Sequence, residues 1–309
     1  MRIVPGWRDL PEALKGSSAA IGAFDGVHRG HRAVIEAAAE AAQARDLPLS
    51  VVTFEPHPRR WFQPDAAPFR LMTTAQIARA LEPLGVDRLH VLPFDAAMAA
   101  MLDRAFATDV LAAGLGIKHA AVGFDFTFGK GRSGSPDLLA RYGDDLGFTV
   151  SVTPRVDDTG GLKLSSSAVR EALHAGDMAR AAAILGRPFA IDGEVVHGDK
   201  RGRTIGVPTA NVRLGDYMRP AYGVYATRTR LADGRVIDGV ANLGIRPMFE
   251  INQPLLEVWL LDFDGDLYGQ TIETDLIALL RGEMAFDGLD ALKAQIDRDA
   301  EAARRVLAS

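Results

Sequence analysis

An apolar run at residues 19–23 gives way to a glycine-containing turn and then, from about His28 to Ala44, to an alanine-rich helical pattern. The chain is organised around this stretch. A strand, a tight turn and a helix start in immediate succession offer free backbone N–H groups to an anion. The turn reads Ile21-Gly22-Ala23-Phe24-Asp25-Gly26-Val27-His28-Arg29-Gly30-His31. His28 and His31 are three residues apart, so on a first helical turn they share one face. Gly22, Gly26 and Gly30 let a polyanion approach the backbone with no side chain in the way. Two imidazoles supply hydrogen-bond donors for charge that develops during displacement at phosphorus. An ordinary surface turn would explain a lone His-x-Gly-His; the longer pattern in this position favours a nucleotide site.

The alternation continues downstream. Strand-like runs at 49–54, 88–92, 120–124 and 148–152 are separated by helical patterns at 74–84, 97–113 and 136–144. Such alternation implies right-handed crossovers and a parallel sheet covered on both faces. Ligands bind beyond the carboxyl ends of such strands, which is where the polar residues fall. Residues 177–185 read as a short helix that Gly186 and Pro188 terminate. Beyond it the pattern becomes short β-rich runs at 189–197, 223–230, 236–243, 255–261 and 270–276, the signature of a small antiparallel barrel. Residues 289–307 form an amphipathic helix with Asp287 as the expected N-cap. The pattern divides the chain into two domains, 1–186 and 187–309, which suits 309 residues.

Composition excludes several classes. A net charge of −5 gives no general attraction to nucleic acid or anionic membrane. The absence of cysteine removes disulfides, thiolate metal sites and cysteine nucleophiles. Neither a signal peptide nor an uncharged apolar run of spanning length is visible, so a cytoplasmic protein without membrane or nucleic-acid partners is expected.

Three further segments carry chemistry. Gly123-Phe124-Asp125-Phe126-Thr127-Phe128-Gly129-Lys130-Gly131-Arg132 suits a loop that packs a flat ring and touches phosphate. A core strand with inward aromatics is the alternative, and it fits Phe124. Ser165-Ser166-Ser167-Ala168-Val169-Arg170 enters a helix; one serine is explained by capping, but not three with a guanidinium one turn in. Gly198-Asp199-Lys200-Arg201-Gly202-Arg203-Thr204-Ile205-Gly206-Val207-Pro208-Thr209-Ala210-Asn211 is a flexible basic loop followed by two oxygen donors two residues apart, which on a strand would point to the same face. Its spacing is not that of a Walker motif.

Phe24-Asp25-Gly26-Val27-His28-Arg29-Gly30-His31 resembles the HxGH nucleotidylyltransferase signature, and the downstream blocks in order resemble the bifunctional riboflavin kinase/FMN adenylyltransferases. The resemblance covers most of residues 19–297. It implies a Rossmann-like nucleotidylyltransferase domain followed by a riboflavin kinase barrel, with ATP, riboflavin, FMN and FAD as substrates or products and Mg²⁺ as cofactor. It implies that His28, His31 and Arg170 act in adenylyl transfer, with Gly22, Phe24, Asp25, Gly26, Gly30, Ser165 and Ser166 on ATP. His57, Asp125, Phe126, Phe128 and Gly129 then line the flavin or adenine pocket. In the barrel it implies that Gly198, Lys200, Gly202, Gly206 and Pro208 cover ATP, that Thr209 and Asn211 hold metal and phosphates, and that Arg281 and Glu283 meet the flavin. Glu257, which sequence alone reads as an acidic residue on a solvent-facing strand, becomes the base by resemblance. Met248 stands where threonine is usual, Trp259 where histidine is common, and Gly282 interrupts a segment that lies over the flavin. A monomer or weak homo-oligomer is expected. The competing readings are a nucleotidylyltransferase for FMN or another phosphorylated substrate with an inactive binding barrel, and a non-catalytic flavin sensor.

Overall fold

The computed structural model describes residues 1–158, 160–197, 207–245 and 254–308, and every structural statement below concerns these. Gly198, Lys200, Gly202, Gly206 and Met248 lie outside the described residues. The chain forms two compact units, Met1–Ala66 with Thr74–Leu164, and Ala67–Thr73 with Ser165–Ser309.

In the first unit the strands are β1 (Arg2–Pro5), β2 (Ser18–Ile21), β3 (Leu49–Glu55), β4 (Arg88–Pro93), β5 (His119–Gly123) and β6 (Thr149–Thr153). They form one sheet in the order β1-β4-β3-β2-β5-β6, with every pair parallel. The helices are α1 (Arg29–Arg45), α2 (Pro58–Phe62), α3 (Thr74–Leu81), α4 (Ala96–Ala100), α5 (Asp103–Ala105) and α6 (Pro136–Leu146). The order reverses at β2, whose neighbours are β3 and β5. The loops that leave β2, β3 and β5 are therefore the ones that meet at the switch point, where open α/β sheets bind ligands. β1 was not expected: four residues with only Val4 buried carry no periodic signal. It is placed by its parallel pairing to β4.

The helical pattern at 97–113 is not one helix. It breaks at Met101 and Leu102 and resumes as α5 and a wide turn of π-helix at Phe106–Gly114. The loop after β5 docks into the break, since Lys130 N–H donates to the Met101 carbonyl at 2.7 Å. A core cluster that includes Trp7, Ile21, Val52, Leu92, Phe106 and Leu111 lies on one side of the sheet.

In the second unit, α7 (Ser166–His174) and α8 (Met178–Leu185) precede the strands β7 (Phe189–Val196), β8 (Ala210–Arg213), β9 (Gly223–Arg230), β10 (Val236–Ile245), β11 (Pro254–Leu260) and β12 (Thr271–Arg281). These close an antiparallel barrel in the order β10-β11-β8-β7-β12-β9. α8 begins at the Asp177 cap and ends at Gly186 in the left-handed region, as the sequence indicates. The last helix, α9 (Leu289–Leu307), packs Ala300, Ala303 and Leu307 on barrel residues Val224, Ala226 and Val240. Its N-cap is Gly288, with no side-chain cap, in place of the expected Asp287. Trp259 is partly buried against that same cluster.

Candidate active sites

The first site grows from the end of β2. Phe24, Gly26 and Val27 all take positive φ, at 49°, 96° and 39°. For a phenylalanine and a β-branched valine this is strained backbone, of order 1–3 kcal/mol each, of the kind that clusters at functional sites. Both side chains are buried, at 1% and 0% exposure, which holds the turn in place. The turn delivers His28 to the N-cap of α1, where its Nδ1 accepts the His31 N–H at 3.2 Å. In the neutral ring this acceptor role assigns the proton to Nε2, which becomes a donor. The rings of His28 and His31 stack with centroids 3.6 Å apart, and His31 also meets Phe24 edge-on at 5.2 Å. Two imidazoles thus share the positive end of a helix, a disposition suited to an anion.

Gly30 has a different reason to be glycine from the one its position in the motif suggests. A Cβ there would lie 2.8 Å from the Leu164 carbonyl oxygen and 3.1 Å from Cε1 and Nδ1 of the His28 ring. Protein atoms, rather than an open approach, occupy that space. Asp25 is buried, at 2% exposure.

Beside this turn is a cavity of about 690 Å³, lined by Ala23, His57, Phe126, Phe128, Gly129 and others. Four of the expected pocket residues therefore line one cavity. His57 caps α2, its Nδ1 accepting the Arg59 N–H at 3.0 Å. Phe126 and Phe128 stack at 5.5 Å. Sequence reasoning missed the rest of the apolar lining, Phe54, Phe62, Phe94, Met98, Met101 and Phe106. Its only signal is apolar residues that persist past the ends of β3 and β4. Asp125 does not line the cavity; its carboxylate pairs with Lys163 at 2.5 Å. Phe124 corrects the expectation of an inward aromatic. The strand ends at Gly123, so alternation no longer governs it, and Phe124 is 43% exposed beneath the Lys163 ammonium while Phe128 is the buried ring.

In the second unit Ser165 is the N-cap of α7, its Oγ accepting the Ala168 N–H at 3.2 Å, and Ser166 is the first helical residue. Arg170 donates from Nε to the Phe69 carbonyl at 2.8 Å, with its guanidinium 5.5 Å from the Phe69 ring centre.

The barrel carries the second set. Asn211, Glu257 and Asn242 are direct cross-strand partners on β8, β11 and β10, so they form one row on one face. A cavity of about 550 Å³ is lined by Val195, Pro208, Thr209, Ala210, Val258, Leu260 and the loop Phe263–Tyr268. Ala210 pairs with Val258, the residues of alternate orientation to Asn211 and Glu257. The structure thus brings Pro208 and Thr209 to the cavity, whereas Asn211, Glu257, Arg281 and Glu283 do not line it. The loop at 263–268 was missed, although its Asp-Gly-Asp turn with flanking aromatics is a signal; the Tyr268 ring lies tilted against His197 with centroids 4.0 Å apart. Among the described residues no group of three or more His, Asp or Glu could hold a metal. Thr209 precedes β8 and lines the cavity while Asn211 lies on the strand and does not, so the two do not share one strand face as expected; each is nonetheless a hard, neutral oxygen donor of the kind an Mg²⁺ balanced by phosphates accepts.

A parallel sheet with paired histidines on the helix after its central strand, joined to a closed barrel with a polar cross-strand row, defines a two-module nucleotide-handling protein. The FAD synthetase family matches residues 10–168 and the riboflavin kinase family matches 185–307. The bifunctional riboflavin kinase/FMN adenylyltransferase of Escherichia coli K12 is 44% identical over 98% of this chain and 97% of its own length. That of Bacillus subtilis 168 is 39% identical over 96% and 94%. The chain belongs to the bifunctional riboflavin kinase/FMN adenylyltransferase family. A solved Streptococcus pneumoniae structure described as a macrolide-efflux protein shares the fold, with TM-score 0.86 and 31% identity over 98% of this chain and 99% of that one. No helix among the described residues here is long and apolar enough to cross a membrane.

Proposed function

We infer that this chain converts riboflavin to FMN and FMN to FAD, each step at the expense of ATP, with the first reaction in the barrel and the second on the parallel sheet. The observation that carries the reading is the match of both family models in succession, over residues 10–168 and 185–307, in a chain 44% identical over 98% of its length to a bifunctional relative. Functionally we divide it at 1–186 and 187–309, which leaves each family match in its own part but for two residues.

In adenylyl transfer a phosphate oxygen of FMN bonds to the α-phosphorus of ATP and pyrophosphate leaves. No protein nucleophile is needed, so alignment and charge stabilisation are the protein's task. His28 donates from Nε2, and His31, stacked on it, holds a neighbouring phosphate oxygen. Ser165, Ser166 and Arg170 take the oxygens of the departing pyrophosphate. Gly22, Phe24, Asp25, Gly26 and Gly30 shape the ATP turn, and the cavity of His57, Phe126, Phe128 and Gly129 takes the flavin ring, with Asp125 at its loop.

In phosphoryl transfer the ribityl 5′-hydroxyl of riboflavin bonds to the γ-phosphorus and ADP leaves. Glu257 accepts the hydroxyl proton. Thr209 and Asn211 would hold Mg²⁺, which would neutralise phosphate charge, and Pro208 with the loop of Gly198, Lys200, Gly202 and Gly206 covers ATP. Arg281 and Glu283 belong to the flavin side. The protein acts as a monomer or weak homo-oligomer in the cytoplasm, where ATP is abundant.

Product chromatography after incubation with riboflavin, ATP and Mg²⁺, repeated with FMN, tests the reading. FMN and FAD from riboflavin are expected. FAD only from supplied FMN would leave an inactive flavin-binding barrel, and neither product would leave a flavin sensor.

A further inference from the structure

We propose that Asp299, on α9, is a positioning residue for riboflavin phosphorylation: through Arg281 it fixes the segment that sets the Glu283 carboxylate against Gly244, on the strand face that carries Asn242 and Glu257. The inference rests on the barrel's assignment as the riboflavin kinase.

Asp299 is 5% exposed, and both its oxygens are engaged. Arg281 Nε donates to Oδ1 and Oδ2 at 3.1 Å each, Arg281 Nη2 donates to Oδ2 at 2.8 Å, and Gln295 Nε2 donates to Oδ1 at 2.8 Å. An exposed ion pair of this kind would do little, but a largely buried, forked one holds its geometry, and removing one partner strands a charge. The remaining Arg281 Nη1 donates to the Gly282 carbonyl at 3.0 Å. The guanidinium is thus committed to Asp299 and to the backbone that leaves β12. Its contribution to flavin binding is to aim the two residues C-terminal to it.

The first of these is Gly282, whose Cβ position meets nothing within 4 Å, and the second is Glu283. A Cβ on Gly244 would lie 2.5 Å from Glu283 Oε1 and 3.5 Å from Asn242 Nδ2. The Glu283 carboxylate therefore fills the space that a side chain at 244 would take, and Gly244 is its seat. Asn242 and Gly244 are two residues apart on β10 and share a face, and Asn242 lies directly opposite Glu257. Two carboxylates on one face have separate tasks: Glu257 takes a proton, and Glu283 accepts hydrogen bonds from a polyol. Asp299 sits on a different element from either and is set in place by the packing of α9, so it reaches the site only through Arg281.

The test uses the full-length chain, with FAD formation from FMN as an internal control. Asp299→Asn keeps the shape but not the charge. It and Glu283→Gln are each expected to raise KM for riboflavin about tenfold, the loss of one good hydrogen bond, with kcat changed less than about threefold. FAD formation stays at the wild-type rate. The double variant is expected to be no worse than Glu283→Gln alone, because one acts through the other. A multiplied defect in the double variant, or an unchanged KM in Asp299→Asn, would overturn the proposal. If Asp299→Asn fails to fold, Gln295→Ala takes its place: a KM raised about threefold and non-additive with Glu283→Gln supports the mechanism, and an unchanged KM overturns it. A wild-type chain that makes no FMN refutes the barrel's assignment itself, before any substitution is examined.

Discussion

Gly30→Ala sets two effects of opposite sign against each other. Gly30 is the second residue of α1 and lies in a helical conformation. On propensity alone alanine there should stabilise the helix by about 0.5–1 kcal/mol. The structure reverses the expectation, because the added carbon would lie 2.8 Å from the Leu164 carbonyl oxygen, where ordinary contact begins at 3.4 Å. Relief requires a movement of about 0.6 Å (3.4 − 2.8) by that backbone or by the start of α1. The His28 ring, 3.1 Å from the same carbon on the other side, is pushed as well. Overpacking of this kind costs about 1–3 kcal/mol, which cancels or exceeds the propensity gain. Misplacing a catalytic group by about 1 Å costs roughly a hundredfold in rate, so a shift of half that size should cost about ten- to thirtyfold in kcat/KM for FAD formation. FMN formation in the same chain should not change. Coupled assays of the two products, with a thermal melt, measure all three quantities. A variant that melts higher and makes FAD at the wild-type rate would show that the contact relaxes without moving His28, and the argument would fail.

Other perturbations separate the modules. His31→Ala should abolish FAD formation while FMN still accumulates from riboflavin; loss of both products would contradict independent sites. Glu257→Gln should do the reverse, lowering FMN formation by about 10²–10⁴, the range for a general base, and an unchanged rate would remove Glu257 from that role. His90 tests a buried group outside both sites. It lies between Val4 and Val52 in the sheet at 1% exposure, and burial, then Arg88, lowers its pKa from 6.5 to about 4. The unfolded chain therefore takes up a proton between pH 6.5 and 4 that the folded chain refuses. Its stabilising contribution is present above pH 6.5 and lost as pH falls toward 4, by about 3 kcal/mol. His90→Leu should flatten that loss in denaturant titrations at pH 7 and pH 4.5, and an unaltered slope would refute it.

The fold was legible where periodicity survives folding. The strands β2 to β6 came from short apolar runs, buried along all or most of their length in β2, β3 and β5, and the helix α1 from an alanine-rich helical pattern, and the change of pattern after Gly186 separated the parallel sheet from the barrel. The elements that were missed are those that tertiary contact decides. β1 exists because β4 offers it an edge, and β8 is a four-residue strand whose sequence, Ala-Asn-Val-Arg, does not distinguish it from the loop before it. The helix expected over 97–113 is interrupted because the loop after β5 claims the Met101 carbonyl, a contact no local rule contains. Phe124 shows the same limit on a single residue: it continues the apolar run, but the strand stops one residue earlier.

The site divides along a similar line, and the division has a chemical cause. Groups that touch phosphate or take a hydroxyl proton come from a short list of residue types, so His28, His31, Thr209 and Asn211 stand out as candidates by identity and spacing, whereas Glu257 does so only through the family resemblance. Residues that hold those groups in place can be of almost any type, since a carbonyl, an aliphatic side chain or an absent Cβ will serve. Gly30 reads as a ligand-contacting glycine but is confined by Leu164 and His28. Arg281 reads as a flavin contact but spends its donors on Asp299 and Gly282. Asp299 reads as one more charge on an amphipathic helix, yet it is buried and doubly engaged. In each case the sequence names an element of the chemistry, and only packing shows whether the residue performs it or aims another that does. That is why the Asp299 and Gly30 variants, rather than those of the histidines or Glu257, discriminate between a correct account of this chain's geometry and a correct account of its family alone.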